Sequence, residues 1–334
     1  MLIQTAYLEI TNRCNLNCST CFNRSGLSKE TKELSAAQIV HIIELLIPFG
    51  LKRVLLSGGE PVLNTDFNKI LELTDQYPDL SFGVVTNGTI HHEKLIQYVN
   101  TRPNLTLQIS LDGSCEEINA KTRGLGHFQE TLAFAQKVHP KHTTPLLKMV
   151  VSQNNLTDIE DFCSLTRSLG FLAEFAFINR SGNAADSWEN KELTPQQKLQ
   201  VLNRVKEINQ QYQTDIFLPL CTSSCPLSTE SPALSISIKT DGSIQPCQSL
   251  YDETFCLGNI FSFDEELFVH RTKALCQLAH TRTTRDYQCH KCLLNSTCGR
   301  GCMAEAFYMH QDPLANDEGC AFRKLQLLFS QIKL

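Results

Sequence analysis

Cys14, Cys18 and Cys21 stand in the run Thr11-Asn12-Arg13-Cys14-Asn15-Leu16-Asn17-Cys18-Ser19-Thr20-Cys21, a CxxxCxxC spacing directly after a predicted strand. Cubane iron-sulfur clusters usually take four cysteine thiolates. A cluster given only three by its loop keeps one iron open for a substrate or cofactor, as catalytic metal sites generally do. The alternatives are three unrelated buried thiols or a zinc loop. Zinc closes its shell with a fourth ligand, and the histidines before Cys115, which are His41, His91 and His92, have no paired spacing.

A second group lies beyond residue 215, where Cys221, Cys225, Cys247, Cys256, Cys276, Cys289, Cys292, Cys298, Cys302 and Cys320 follow one another. Closely spaced thiol pairs of this kind hold clusters or structural zinc. Fifteen cysteines in a large, core-rich chain with no secretory signal favour metal ligation over a disulfide framework.

The elements that must position these groups alternate along residues 4 to about 215. Strand candidates are Tyr7 to Thr11, Arg53 to Ser57, Phe82 to Thr86, Leu105 to Leu111, Leu146 to Val151 and Ala173 to Ile178. Helix candidates are Ala36 to Pro48, Phe67 to Tyr77, His92 to Asn100, Phe128 to Val138, Leu156 to Leu169 and Pro195 to Tyr212. Six βα units argue for an α/β fold with a parallel sheet, whose ligands sit at the carboxyl ends of the strands. Ser181 to Glu192 is polar and reads as a surface loop that could cover the site. Hydrophobic residues at 42% and charged residues at 19% are an ordinary globular mix. A net charge of -5 gives no reason to expect nucleic acid, and no apolar run is long enough to span a membrane, so a reducing cytoplasm is expected.

In this order the motifs resemble those of the radical S-adenosylmethionine (SAM) superfamily, whose fold is a partial (β/α)6, TIM-like barrel. Gly58-Gly59-Glu60-Pro61 resembles its GGEP motif, which meets the methionine amino group of SAM, and glycines let a ligand approach the main chain. The resemblance implies ribose or carboxylate contacts from Ser110 and Asp112, a contact from Asn87, and Arg123 as partner of the SAM carboxylate, a role that suits its planar fork. Many members carry an aromatic residue before the third cysteine, where this chain has Thr20, with Phe22 following instead.

The tail resembles the SPASM extension of the same enzymes, so a core of residues 1–215 and a SPASM domain of residues 216–334 are expected. The family pattern implies one auxiliary [4Fe-4S] cluster on Cys221, Cys225, Cys247 and Cys302, and another on Cys289, Cys292, Cys298 and Cys320. With the SAM-binding cluster that makes three. Cys163 reads as core, Cys276 as packing, and Cys115 and Cys256 as loop thiols that could return a hydrogen atom to a radical.

The implied activity is an oxidation begun by a 5'-deoxyadenosyl radical, with electrons from a reduced flavodoxin or ferredoxin. Relatives with both auxiliary clusters mostly modify peptides or proteins, the anaerobic sulfatase-maturating enzymes among them, so a peptide or protein substrate is expected. A small-molecule dehydrogenase or epimerase, acting for example on an aminosugar, is the alternative. Sulfatase maturases place a basic Asp after the cysteine matching Cys247; here Gln248 stands there and cannot take a proton, leaving Asp252 and Glu253 as substitutes or as a solvated turn. The cluster loop begins at residue 14, so no leader-binding domain is expected before it.

Overall fold

The computed structural model describes residues 2–27, 30–216, 225–228, 233–285, 289, 291–294, 298, 301–317 and 319–331. Strands β1 (Leu2–Thr11), β2 (Arg53–Gly58), β3 (Ser81–Thr86), β4 (Leu105–Ser110), β5 (Leu146–Val151) and β6 (Leu172–Phe177) run parallel to their neighbours. Between them lie α1 (Ala36–Leu46), α2 (Phe67–Gln76), α3 (Glu93–Thr101), α4 (Glu116–Arg123), α5 (His127–Ala135) and α6 (Ile159–Ser168), and α7 (Pro195–Tyr212) follows β6. This is the open, parallel α/β arrangement that the alternation predicts, and it brings the carboxyl ends of six strands to one edge.

Alternation along the strands divides the two faces. Ile3, Ala6, Leu8 and Ile10 of β1 are wholly buried and share a core with Val54, Leu56, Phe82, Val84, Leu107 and Ile109. Helix α1 starts on a capping box between Ser35 and Gln38 and gives way at Leu46 to a 3-10 turn, Ile47–Phe49, containing Pro48. Proline has no N–H to continue the helical ladder, so the helix stops short of the expected Pro48. Helix α4 is absent from the sequence expectation; Glu116 and Glu117 open it and Lys121 and Arg123 close it, charges that suit the helix dipole.

The cysteine-rich part extends the same sheet. Strand β7 (Ala233–Ile238) pairs parallel with β1, matching Ala6 to Ile236 and Leu8 to Ile238, and β8 (Ser243–Gln245) and β9 (Gly258–Asn259) add antiparallel strands. The order is β6-β5-β4-β3-β2-β1-β7-β8-β9. Helices α8 (Glu265–Arg285), α9 (Met303–His310) and α10 (Gly319–Gln331) complete the described tail, and α10 packs on α7, with Phe322 edge-on to Phe177 at 5.7 Å. Among the described residues no helix is long and apolar enough to cross a membrane.

Candidate active site and cysteine centres

The register of β1 against β2 slips between Glu9 and Thr11, and such a bulge re-aims the chain at the point where it enters the cysteine loop. Gly59 N–H then donates to Thr11 O at 2.8 Å and Glu60 N–H to Arg13 O at 2.7 Å. A Cβ on Gly58, whose φ is +126°, would lie 2.2 Å from Thr11 O, and one on Gly59 would lie 2.0 Å from Arg13 O. What crowds these glycines is therefore the backbone leading to Cys14.

Glu60 is 1% exposed, accepts from Thr86 Oγ1 and Asn87 N–H at 2.7 Å each and from Val62 N–H at 3.4 Å, and is pushed by burial up to about 7. Its carboxylate is spent on joining the ends of β2 and β3, with buried Pro61 opening the 3-10 turn that follows. Asn87 in turn donates to Asn15 Oδ1 at 2.9 Å, inside the cysteine loop. Both residues brace the site from behind.

Asp112 is wholly buried. Its Oδ1 accepts from Val150 N–H at 2.8 Å, and Oδ2 lies 2.8 Å from Arg123 Nε, a charge contact without the alignment of a hydrogen bond. Arg123, with its side chain 10% exposed, brings Nη1 to 4.0 Å from Cys18 Sγ. Asp112 thus aims Arg123 at the loop, while Ser110 ends β4 half-buried beside them. The Asp112 backbone N–H is fixed by Asn119 Oδ1, and Asn119 is held by buried His127, which burial and the Arg123 charge push down to about 3.

Cys14, Cys18 and Cys21 are half-buried, and the neighbouring thiols lie close enough to act on the ionisation of Cys14 and Cys18. Burial pushes Cys14 up to about 11 and raises Cys18 against the pull of Arg123. Among the described residues no three His, Cys, Asp or Glu side chains converge tightly enough to enclose a single ion. An all-thiol set of this kind suits iron-sulfur chemistry. Ser19 Oγ and Asn183 Oδ1, buried beside the loop without protein partners, are places where a bound group would be received.

Ser181 to Glu192, read from sequence as a surface loop that could cover the site, packs against the cysteine loop through Asn183, Lys191 and Gly182. Next to it opens a cavity of about 580 Å³, walled by Phe22, Asn23 and Arg24 after Cys21, by Arg180 and Ser181, and by Lys239, Tyr251 and Tyr308 from the tail. Glu9 is the one carboxylate among its described lining residues. Burial raises the Glu9 carboxyl, against a hydrogen bond from Asn23 and the charge of Lys239. Tyr251 and Tyr308 stack at 4.9 Å, and Tyr308 OH accepts from Tyr251 N–H at 3.1 Å. Asp252 caps the turn at Thr254 N–H at 2.9 Å, bonding that holds its carboxyl below the usual range, and neither it nor exposed Glu253 lines the cavity. Cys115 and Cys256 are also outside the lining; Cys115 is exposed at the start of α4 and Cys256 Sγ donates to Gly258 O at 3.2 Å. Cys163 is buried in α6, as expected of a core thiol.

In the tail Cys225, Cys247 and Cys302 lie within electrostatic reach of one another, and Cys276 feels Cys225. Cys221 lies outside the described residues. Cys289 accepts Cys292 N–H on its carbonyl at 3.0 Å, and Cys320 N–H donates to Asp317 O at 3.3 Å in the first turn of α10. Two buried arginines that sequence reasoning passed over organise this region. Arg323 pairs with Asp317 through both nitrogens, at 3.0 and 2.5 Å, and its Nε donates to Cys298 Sγ at 3.2 Å; Asp317 also accepts Cys302 N–H at 2.7 Å. Arg282 donates to Gly301 O at 3.2 Å and Ala315 O at 3.1 Å. A Cβ on Gly301 would fall 2.2 Å from Arg323 Nη1, so this glycine leaves room for the guanidinium.

Residues 8–165 match the sequence model of the Radical SAM superfamily. The chain is 26% identical over 313 residues to mycofactocin maturase MftC of Mycolicibacterium smegmatis, covering 90% of this chain and 78% of the relative. It is 31% identical over 191 residues to GTP 3',8-cyclase of Listeria welshimeri, and that match spans 57% of the cyclase and 56% of this chain. Its fold is similar to that of Streptococcus suis SuiB bound to precursor peptide SuiA, with a TM-score of 0.74 at 15% identity over 96% of this chain and 76% of SuiB. It is similar also to that of anSMEcpe with bound AdoMet and Kp18Cys peptide, with a TM-score of 0.77 at 17% identity over 99% and 98%.

Proposed function

We propose that the chain is a radical SAM enzyme that uses SAM and an iron-sulfur cluster on Cys14, Cys18 and Cys21 to oxidise a peptide or protein, a reading supported by the match of residues 8–165 to the superfamily's sequence model. The observation that carries this reading is the cavity of about 580 Å³ between the cysteine loop and the tail. Its volume suits a side chain and its flanking backbone, with a few polar groups to orient them. The peptide-bound SuiB and anSMEcpe structures, and the MftC match along 90% of this chain, support the substrate class.

When bound, such a cofactor supplies a 5'-deoxyadenosyl radical that removes a hydrogen atom from an unreactive C–H bond. The chain's own residues bind, orient and handle the proton. Arg123, aimed by Asp112, takes the SAM carboxylate as a planar two-pronged partner. Gly58 and Gly59 bring the end of β2 against the backbone that leads from β1 into the cysteine loop. Glu9, at the end of β1, accepts the proton that oxidation of the substrate releases, the role that Gln248 cannot fill. The substrate lies along Phe22, Tyr251 and Tyr308, and Arg180 stands at the wall to meet an acidic group.

The tail fits two further clusters by donor type, one on Cys221, Cys225, Cys247 and Cys302 and one on Cys289, Cys292, Cys298 and Cys320. They would take the second electron of the oxidation, with a flavodoxin or ferredoxin supplying the first. The test is anaerobic incubation with SAM, dithionite and short peptides encoded beside the gene, followed by mass spectrometry. Loss of hydrogen from one peptide is expected. Turnover of an aminosugar or nucleotide, with every peptide unchanged, would overturn the substrate class.

A further inference from the structure

The segment between β6 and α7 reaches back across the chain to the cysteine loop. Asn183 Nδ2 donates to Cys18 O at 2.9 Å and to Asn17 Oδ1 at 3.2 Å, while its backbone N–H donates to Cys21 O at 2.8 Å. Lys191 Nζ donates to Ser19 O at 3.1 Å, Asn183 O at 3.0 Å and Asp186 O at 2.5 Å. Gly182, at φ +54°, sits so close that a Cβ would lie 2.3 Å from both Cys21 O and Phe22 O. Trp188, 6% exposed, anchors the segment with Ile178 and Ala184. One short stretch thereby grips the carbonyls of Cys18, Ser19 and Cys21.

Two observations bear on what this grip is for. Ser19 Oγ is buried without a protein partner, an unmet buried hydroxyl costs about 1–3 kcal/mol unless something pairs with it, and its O–H can donate to a sulfide or thiolate sulfur. The Lys191 ammonium, moreover, is held by three neutral carbonyls, so no carboxylate in that contact set cancels its charge.

Resting on the cluster reading above, we propose that Asn183 and Lys191 are positioning residues for the cluster loop. They fix three carbonyls so that Cys14, Cys18 and Cys21 meet one iron-sulfur core. The Lys191 charge also favours the reduced core, which gains one electron from a low-potential flavin or iron-sulfur donor and no proton.

Lys191→Met removes the charge and keeps the stem, Lys191→Arg is the conservative variant, and Asn183→Ala removes the side-chain donors. Each full chain is reconstituted anaerobically beside the unaltered protein and Cys18→Ala, then desalted. Iron retained above the Cys18→Ala level isolates the loop's share. Electron paramagnetic resonance of the dithionite-reduced protein, with and without SAM, gives the cluster's spectrum and its half-reduction potential. Lys191→Met and Asn183→Ala are expected to retain at most half of the loop's iron. Lys191→Met should also need a more negative potential for reduction, and Lys191→Arg should restore both properties. Unaltered iron, spectrum and potential in both variants overturn the proposal. If the unaltered protein holds no more iron than Cys18→Ala, the cluster reading itself fails. Should circular dichroism show Lys191→Met unfolded, Asn183→Ala decides on iron and spectrum alone.

Discussion

Replacing Asp112 by Asn separates a buried ion pair from the shape that carries it. The carboxylate is wholly buried, with Oδ1 on Val150 N–H at 2.8 Å and Oδ2 2.8 Å from Arg123 Nε. Asparagine keeps the volume and the Val150 acceptor, but it turns an NH2 group toward a guanidinium whose side chain is 10% exposed. Arg123 is then a buried cation without its partner, which costs about 3–5 kcal/mol. The contrast is Arg24 with Asp186, whose side chains are 46% and 63% exposed; Arg24→Gln should cost about 1 kcal/mol or less. Urea unfolding of the anaerobically purified protein, followed by circular dichroism, reads both variants on the same scale. Asp112→Asn should also weaken SAM binding, because Arg123 is no longer held beside Cys18. A loss below about 1 kcal/mol for Asp112→Asn, equal to that of Arg24→Gln, would refute the claim that this pair is what positions Arg123.

Gly59→Ala would place a Cβ 2.0 Å from Arg13 O, so the backbone must shift; we expect a loss of about 1–3 kcal/mol and of the loop's iron, measured by unfolding and iron assay. Arg323→Met leaves buried Asp317 without its partner and should cost about 3–5 kcal/mol with loss of tail iron, while Cys18-dependent iron remains. Glu60 is raised by burial from an ordinary 4.5 to about 7, so the folded state holds its proton longer than the unfolded chain. Its contribution to stability is complete below pH 4.5 and is lost as pH rises through 7, a fall of at most about 3 kcal/mol. Unfolding at pH 5 and pH 8 should show this slope in the unaltered protein and a smaller one in Glu60→Gln.

The six core strands are legible because each is a short β-rich run whose buried residues repeat on one face, as in Leu105, Leu107 and Ile109. Helix α4 is not, since its buried positions are the polar Asn119 and Thr122 and no apolar stripe marks it; only the acidic start and basic end would have found it. The pairing of β7 with β1 joins segments more than two hundred residues apart and has no local signal. Among site residues, the cysteines and Arg123 stand out by type and spacing. Glu60 and Asp112 stand out too, but the structure turns both carboxylates inward, onto Asn87 and Arg123. Segment 181–191 acts largely on main-chain carbonyls, which side-chain types do not reveal, and Arg282 and Arg323 look in sequence like any surface arginine.

The most direct test of the account is the yield of 5'-deoxyadenosine and methionine from SAM and dithionite, compared between the unaltered protein and Cys18→Ala under strict anaerobiosis. The account predicts production by the first and none by the second, with tail iron retained in the variant. Equal production by both, or none by either once iron is bound, would contradict it.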